Sequence, residues 1–198
     1  MKITQPFVAV LIWLLLVPQA YSAPGSPSST PWYMIELVLF TRNTSPGASG
    51  EIWSKAPGEL DWDDQRRGDY DLVPAGSRQL GGAKQALNNS PEGLTPVIHT
   101  AWRQPVYSRN SARSFYLKSD REIRPGTPLV EGMVKVSVGR YLHVDLDILM
   151  RGTPAGTVSL PGEFQTFRFD ERRRMRSKEL HYIDHPLMGM LVLITPLK

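Results

Sequence analysis

The chain has 198 residues, 41% of them hydrophobic, with 23 Lys and Arg against 19 Asp and Glu and no cysteine. At roughly 100–200 residues per domain this allows one domain with an adequate core. The absence of cysteine excludes disulfides, thiolate metal sites, a cysteine nucleophile and a lipid-modified N-terminal cysteine.

Lys2 is the only charge ahead of an unbroken apolar run from Phe7 to Val17. The run is shorter than the roughly 20 residues a membrane span requires. It suits the apolar region of a secretory signal, which Pro18 ends, with Ala20 and Ser22 as the small residues before a cleavage point. The expected organisation is a signal peptide over 1–22, a flexible tether over 23–31 and a single domain over 32–198. The mature chain is expected in the periplasm, with no stable membrane span. Charge is uneven along it: residues 24–96 carry a net −3 and residues 97–198 a net +6. Export argues against nucleic acid as the partner of that basic half and leaves acidic wall polymer or anionic lipid.

The stretch Met34 to Phe40 is apolar except for Glu36 and reads as a first strand. Asn43 to Gly50 is a Ser, Gly and Pro loop. Glu51 to Pro74 has no clear period; it carries Trp53 and Trp62 among many acids from Glu59 to Asp71 and reads as an irregular, solvated segment. Leu80, Ala83 and Leu87 predict a short helix within Gln79 to Asn88. Thr95 to Ala101, Ser114 to Leu117, Phe164 to Phe169 and Met188 to Ile194 read as strands, the last fully buried.

The clearest pattern lies between Met133 and Met150. Val134, Val136, Val138, Leu142, Val144, Leu146 and Ile148 share one parity, and Lys135, Ser137, Tyr141, His143, Asp145 and Asp147 the other. Such alternation marks antiparallel structure with one buried and one wet face. A two-residue hairpin at Gly139-Arg140 would mix the faces, so parity favours one long bent strand, or else a three-residue turn. The fold class expected is α+β, with an antiparallel β-sheet dominant and one or two short helices.

Four blocks carry a family resemblance: WYMIELVLF at 32–40, HTAWRQPV at 99–106, LVEGMVKVSVGRYLHVDLDI at 129–148, and RRMRSKELHYIDHPLMGMLVLITP at 173–196. Together they resemble the CsiV family of exported peptidoglycan-binding proteins of Gram-negative bacteria. The resemblance implies a periplasmic protein that binds peptidoglycan. It also implies support or regulation of a class A penicillin-binding protein through its outer-membrane lipoprotein activator. That is a task without a reaction of its own, and no set of site residues comes with it.

Residue chemistry supplies the candidate sites. Arg172, Arg174 and Arg176 would point one way on a strand, and guanidinium groups bind carboxylates in bidentate fashion, as muramyl and stem-peptide groups would require. The alternative is a solvated face paired with Asp170, Glu171, Glu179 and Asp184. Arg140, Tyr141 and His143 form a second candidate, with an aromatic ring and an imidazole to receive a sugar; their alternative is cross-strand pairing that fixes register. Trp53 and Trp62 either stack on sugars or anchor their segment to the core.

His181 and His185 have H-x-x-x-H spacing, but Pro186 disfavours helix at His185, and Tyr182 stands where a zinc protease places its glutamate. A turn at Asp184-His185-Pro186 is the expected structure. No metal, cofactor or catalytic residue is expected. The competing functions are a wall-acting, metal-assisted hydrolase and a protein-interaction adaptor without wall affinity.

Overall fold

The first described strand, β1 (Trp32–Thr41), is apolar from Met34 to Phe40 save for Glu36, because both of its faces are covered. Ile35, Leu37 and Leu39 point into the main core, and Met34, Val38 and Phe40 are buried on the opposite face. The computed structural model describes residues 30–65, 70–154 and 163–197. The expected signal peptide, all but the last two residues of the expected tether, and Asp69 lie outside the described residues.

After β1 come a 3-10 turn at Pro46–Ser49 and another at Trp62–Asp64, then β2 (Asp71–Leu72), a third turn at Ala75–Ser77 and α1 (Gly81–Asn88). The strands β3 (Thr95–Pro105), β4 (Ser114–Lys118), β5 (Glu122–Arg124), β6 (Thr127–Pro128), β7 (Val130–Val138) and β8 (Leu142–Gly152) follow. The chain closes with β9 (Gln165–Met175), β10 (Leu180–His185) and β11 (Met188–Pro196). Five strands form one sheet in the order β10-β11-β1-β3-β2; four form a second, β4-β7-β8-β9; β5 and β6 make a small ribbon. All strand pairings are antiparallel, and the α+β class with a dominant antiparallel sheet is what the structure has.

The two large sheets share one core. Ile35, Leu37 and Leu39 of β1 and Val192 and Ile194 of β11 meet Val134 and Val136 of β7 and Val144, Leu146 and Ile148 of β8. Trp102 of β3 stacks on Phe115 of β4 at 4.0 Å. Burying each such side chain is worth about 1.5–3 kcal/mol, so this interface dominates the stability. Gly189 lies where a Cβ would come within 2.5 Å of the Phe40 ring; the close approach of β11 to β1 at that point requires glycine.

The alternating stretch is a hairpin and not the bent strand favoured from sequence. Val138 pairs with Leu142 across the three-residue loop Gly139-Arg140-Tyr141, which preserves the parity. β9 runs on to Met175, well past the expected end at Phe169. β10 continues through His185, so the turn falls at Pro186 and Leu187 instead of Asp184 to Pro186.

The acidic segment is irregular and mostly exposed where it is described, as expected, but Leu60, Trp62 and Asp64 tie it as a strap across the outer face of the four-stranded sheet. Leu60 packs on Met133 and Leu149, Trp62 lies against Tyr116 at 5.1 Å, and Asp64 meets Lys135 at 2.7 Å and the Ser114 hydroxyl.

Candidate functional site

The outer face of the four-stranded sheet presents Glu131, Met133, Lys135 and Ser137 from β7, and His143, Asp145, Asp147, Leu149 and Arg151 from β8. From β9 it presents Arg168, Asp170, Arg172 and Arg174. The pairing of β8 with β9 sets His143 opposite Arg174 and Asp145 opposite Arg172. The two arginine-bearing candidates read separately in the sequence therefore meet at one end of this face. The Arg174 guanidinium lies 4.5 Å from the centre of the Tyr141 ring and that of Arg140 lies 5.6 Å from it. Tyr141 is itself 42% exposed.

The predicted arginines differ in their surroundings. Arg140 and Arg174 have no acidic partner among the described residues. Arg172 is held 3.4 Å from the Asp145 carboxylate, which Arg109 also approaches at 3.7 Å. Arg176 lies past the end of β9, where its guanidinium is 3.6 Å from Glu179. Its backbone N–H donates to the His181 ring at 3.1 Å. The ledge proper is thus Arg140, Tyr141, His143, Arg172 and Arg174, with Arg176 beyond it.

At the opposite end of the same face the strap and the first residues of β9 enclose a cleft of about 900 Å³. Its floor holds Glu131 and Arg151, which are ion-paired and largely buried. Tyr116 donates its hydroxyl to Glu131 at 2.7 Å, and Arg151 also donates to the Pro128 carbonyl at 2.9 Å. Burial works to raise the Glu131 carboxyl, but the hydrogen bonds from Tyr116 and Arg151 outweigh it and hold the group below the usual carboxylate range. Burial first, and then the bond to Glu131, push the Tyr116 phenol upward.

The two tryptophans of the segment are separated in role. Trp53 donates its indole N–H to the Pro46 carbonyl at 2.9 Å and sits edge-on to Phe167 at 5.1 Å, an anchor to the core. Trp62 is 49% exposed at the cleft.

The histidines do not converge. His185 is lodged between Trp53 and Phe169, and burial pushes its imidazole down to about 4. Its Nδ1 accepts from the Leu187 N–H at 3.2 Å. His99 Nε2 lies 2.8 Å from the Glu36 carboxylate. Among the described residues no group of three His, Asp or Glu is placed to hold a metal.

In the sequence Glu36 reads only as an interruption of the first strand. Its fully buried carboxylate accepts the Gln79 and Leu80 backbone N–H groups, each at 2.8 Å, just ahead of α1. A lone carboxylate inside a strand covered on both faces is the signal that marks it, because such a charge has to be paired.

A family described as "Peptidoglycan-binding protein, CsiV" matches residues 60–197. The chain belongs to the CsiV family. The match starts after β1, yet β1 pairs with both β3 and β11, which lie inside the CsiV span. The ledge and the cleft floor both fall within that span. No curated protein and no solved structure matches this CsiV chain. No helix among the described residues is long and apolar enough to cross a membrane.

Proposed function

We propose that this chain is an exported, non-enzymatic protein of the periplasm that binds peptidoglycan. In this reading the signal peptide ends at Ser22, a tether follows, and one domain begins at residue 32. The ledge meets the anionic groups of the wall. The observation that carries the reading is the pair of guanidiniums of Arg140 and Arg174 flanking an exposed Tyr141, in a chain whose family is described as peptidoglycan-binding. With no acidic partner among the described residues, these groups are open to muramyl lactyl or stem-peptide carboxylates, and the ring adds an apolar face for the attached sugar.

A hydrolase is the weaker reading. The carboxylate best placed in the cleft, Glu131, is held below the usual range, whereas a general acid needs the opposite shift. The family resemblance further supports a regulatory partnership with a class A penicillin-binding protein and its outer-membrane lipoprotein activator; crosslinking in cells tests that partnership.

Wall binding is tested by co-sedimentation with purified sacculi at two salt concentrations. Pelleting that weakens with salt, and weakens further when Arg140 and Arg174 are both changed to Gln, is expected. No pelleting at low salt would overturn the proposal.

A further inference from the structure

The cleft offers a different chemistry from the ledge, although it lies on the same sheet face. From His143 to Arg151 along β8 is eight residues, about 26 Å at about 3.3 Å per residue. Among the described residues the cleft lining carries four glutamates against one lysine and one arginine, a balance that disfavours carboxylates. Its volume of about 900 Å³ lies within the roughly 300–1,000 Å³ of small-molecule sites.

Three features point to uncharged sugar. Trp62 lines the cleft and is half-exposed, while Tyr116 lies against it at 5.1 Å, so the indole is supported yet open. An indole face takes the C–H face of a pyranose as it takes another apolar ring. On the floor, Arg151 uses two of its five donors among the described residues, on Pro128 and Glu131. Glu131 accepts from Tyr116 and Arg151 out of the roughly four lone-pair sites a carboxylate has. Among the described residues the pair therefore still offers both a donor and an acceptor, fixed in place, to hydroxyl and acetamide groups. Tyr116 and Arg151 hold that acceptor ionised and aimed, which preorganises it.

We infer that the cleft is a saccharide subsite that takes the uncharged N-acetylhexosamine backbone of a glycan strand, with Trp62 as stacking platform and the Glu131–Arg151 pair as polar anchor. The inference rests on the peptidoglycan-binding reading and divides the labour: sugar in the cleft, carboxylate on the ledge.

The test titrates the chain, as exported by an expression host, with chitotetraose, a neutral oligomer of N-acetylglucosamine that bears no carboxylate or peptide. Calorimetry should show binding, and Trp62→Ala should weaken it by about tenfold, the scale of one lost aromatic platform. Trp32→Ala, at the other strongly exposed tryptophan among the described residues, should leave it unchanged. In the wild-type chain the indole N–H resonance of Trp62 should shift on titration while that of buried Trp102 stays still, a readout that does not depend on any variant folding. Sacculus binding without chitotetraose binding would overturn the cleft assignment and leave the proposed function standing. Chitotetraose binding that leaves the Trp62 resonance unmoved would also overturn it. Failure to bind sacculi at all would remove the broader reading instead.

Discussion

Replacing Glu36 by Ala should destabilise the fold more than any exposed charge reversal, although Glu36 touches no candidate ligand site. Three donors lose their acceptor: the Gln79 and Leu80 N–H groups and the His99 ring. Each buried donor left unpaired costs about 1–3 kcal/mol. Gln79 is exposed and water can replace its acceptor, so Leu80 and His99 carry most of the loss, about 3 kcal/mol together. At about 2–4 °C per kcal/mol for a chain of this size, Tm should fall by about 6–12 °C. Glu36→Gln keeps one carbonyl acceptor but turns an amide donor toward another donor, so about half that loss is expected. Thermal unfolding followed by circular dichroism measures both, and urea midpoints provide a second scale. A Tm within about 2 °C of wild type for Glu36→Ala would show that the carboxylate is not the anchor of the α1 segment, and the reasoning would fail.

The pH dependence of stability should carry the signature of His185. Its folded-state value near 4 lies below the ordinary 6.5, so the unfolded chain binds more protons between those values. Stability is then complete above pH 6.5 and falls as pH drops toward 4. The full shift would be worth about 3 kcal/mol, but the ring is only partly buried, and screening reduces this to about 1–2 kcal/mol. Urea unfolding from pH 7 to 4 should show that loss, and His185→Gln should flatten it. Gly189→Ala should cost about 2 kcal/mol through the clash with the Phe40 ring and lower Tm by about 4–8 °C; an unchanged Tm would mean that β11 and β1 can part without penalty.

The β7–β8 hairpin was legible as alternation because one face is buried and the other wet. Its turn was not, since a three-residue loop and an unbroken strand leave Val138 and Leu142 on the same parity. The last part of β9 was obscured by its charges: Arg172, Arg173 and Arg174 are all exposed, and the apolar rhythm returns only at Met175. The strap was invisible for another reason. Leu60, Trp62 and Asp64 are positioned by partners on β4, β7 and β8, and contacts that distant leave no local period. The same holds for the ledge, whose Tyr141 and Arg174 were each singled out for their chemistry, while only the β8–β9 register brings them together. Glu36 and His99 likewise become a pair only once β1 lies beside β3.

The division of the sheet face into a cationic end and an acidic, tryptophan-bearing end makes salt a means of telling the two apart. Contacts of exposed guanidiniums with carboxylates fade as the Debye length contracts from about 10 Å at 0.1 M to about 3 Å at 1 M. Stacking on Trp62 and hydrogen bonds from the largely buried Glu131–Arg151 pair are far less affected. Sacculus affinity of wild type should therefore fall with salt to a plateau, and Arg174→Gln should start lower and converge on the same plateau. Trp62→Ala should run below wild type at every salt concentration, with the difference undiminished at 1 M. Convergence of Trp62→Ala and divergence of Arg174→Gln at high salt would reverse the roles assigned to the two ends, because a charge contact cannot outlast its screening while an apolar one disappears.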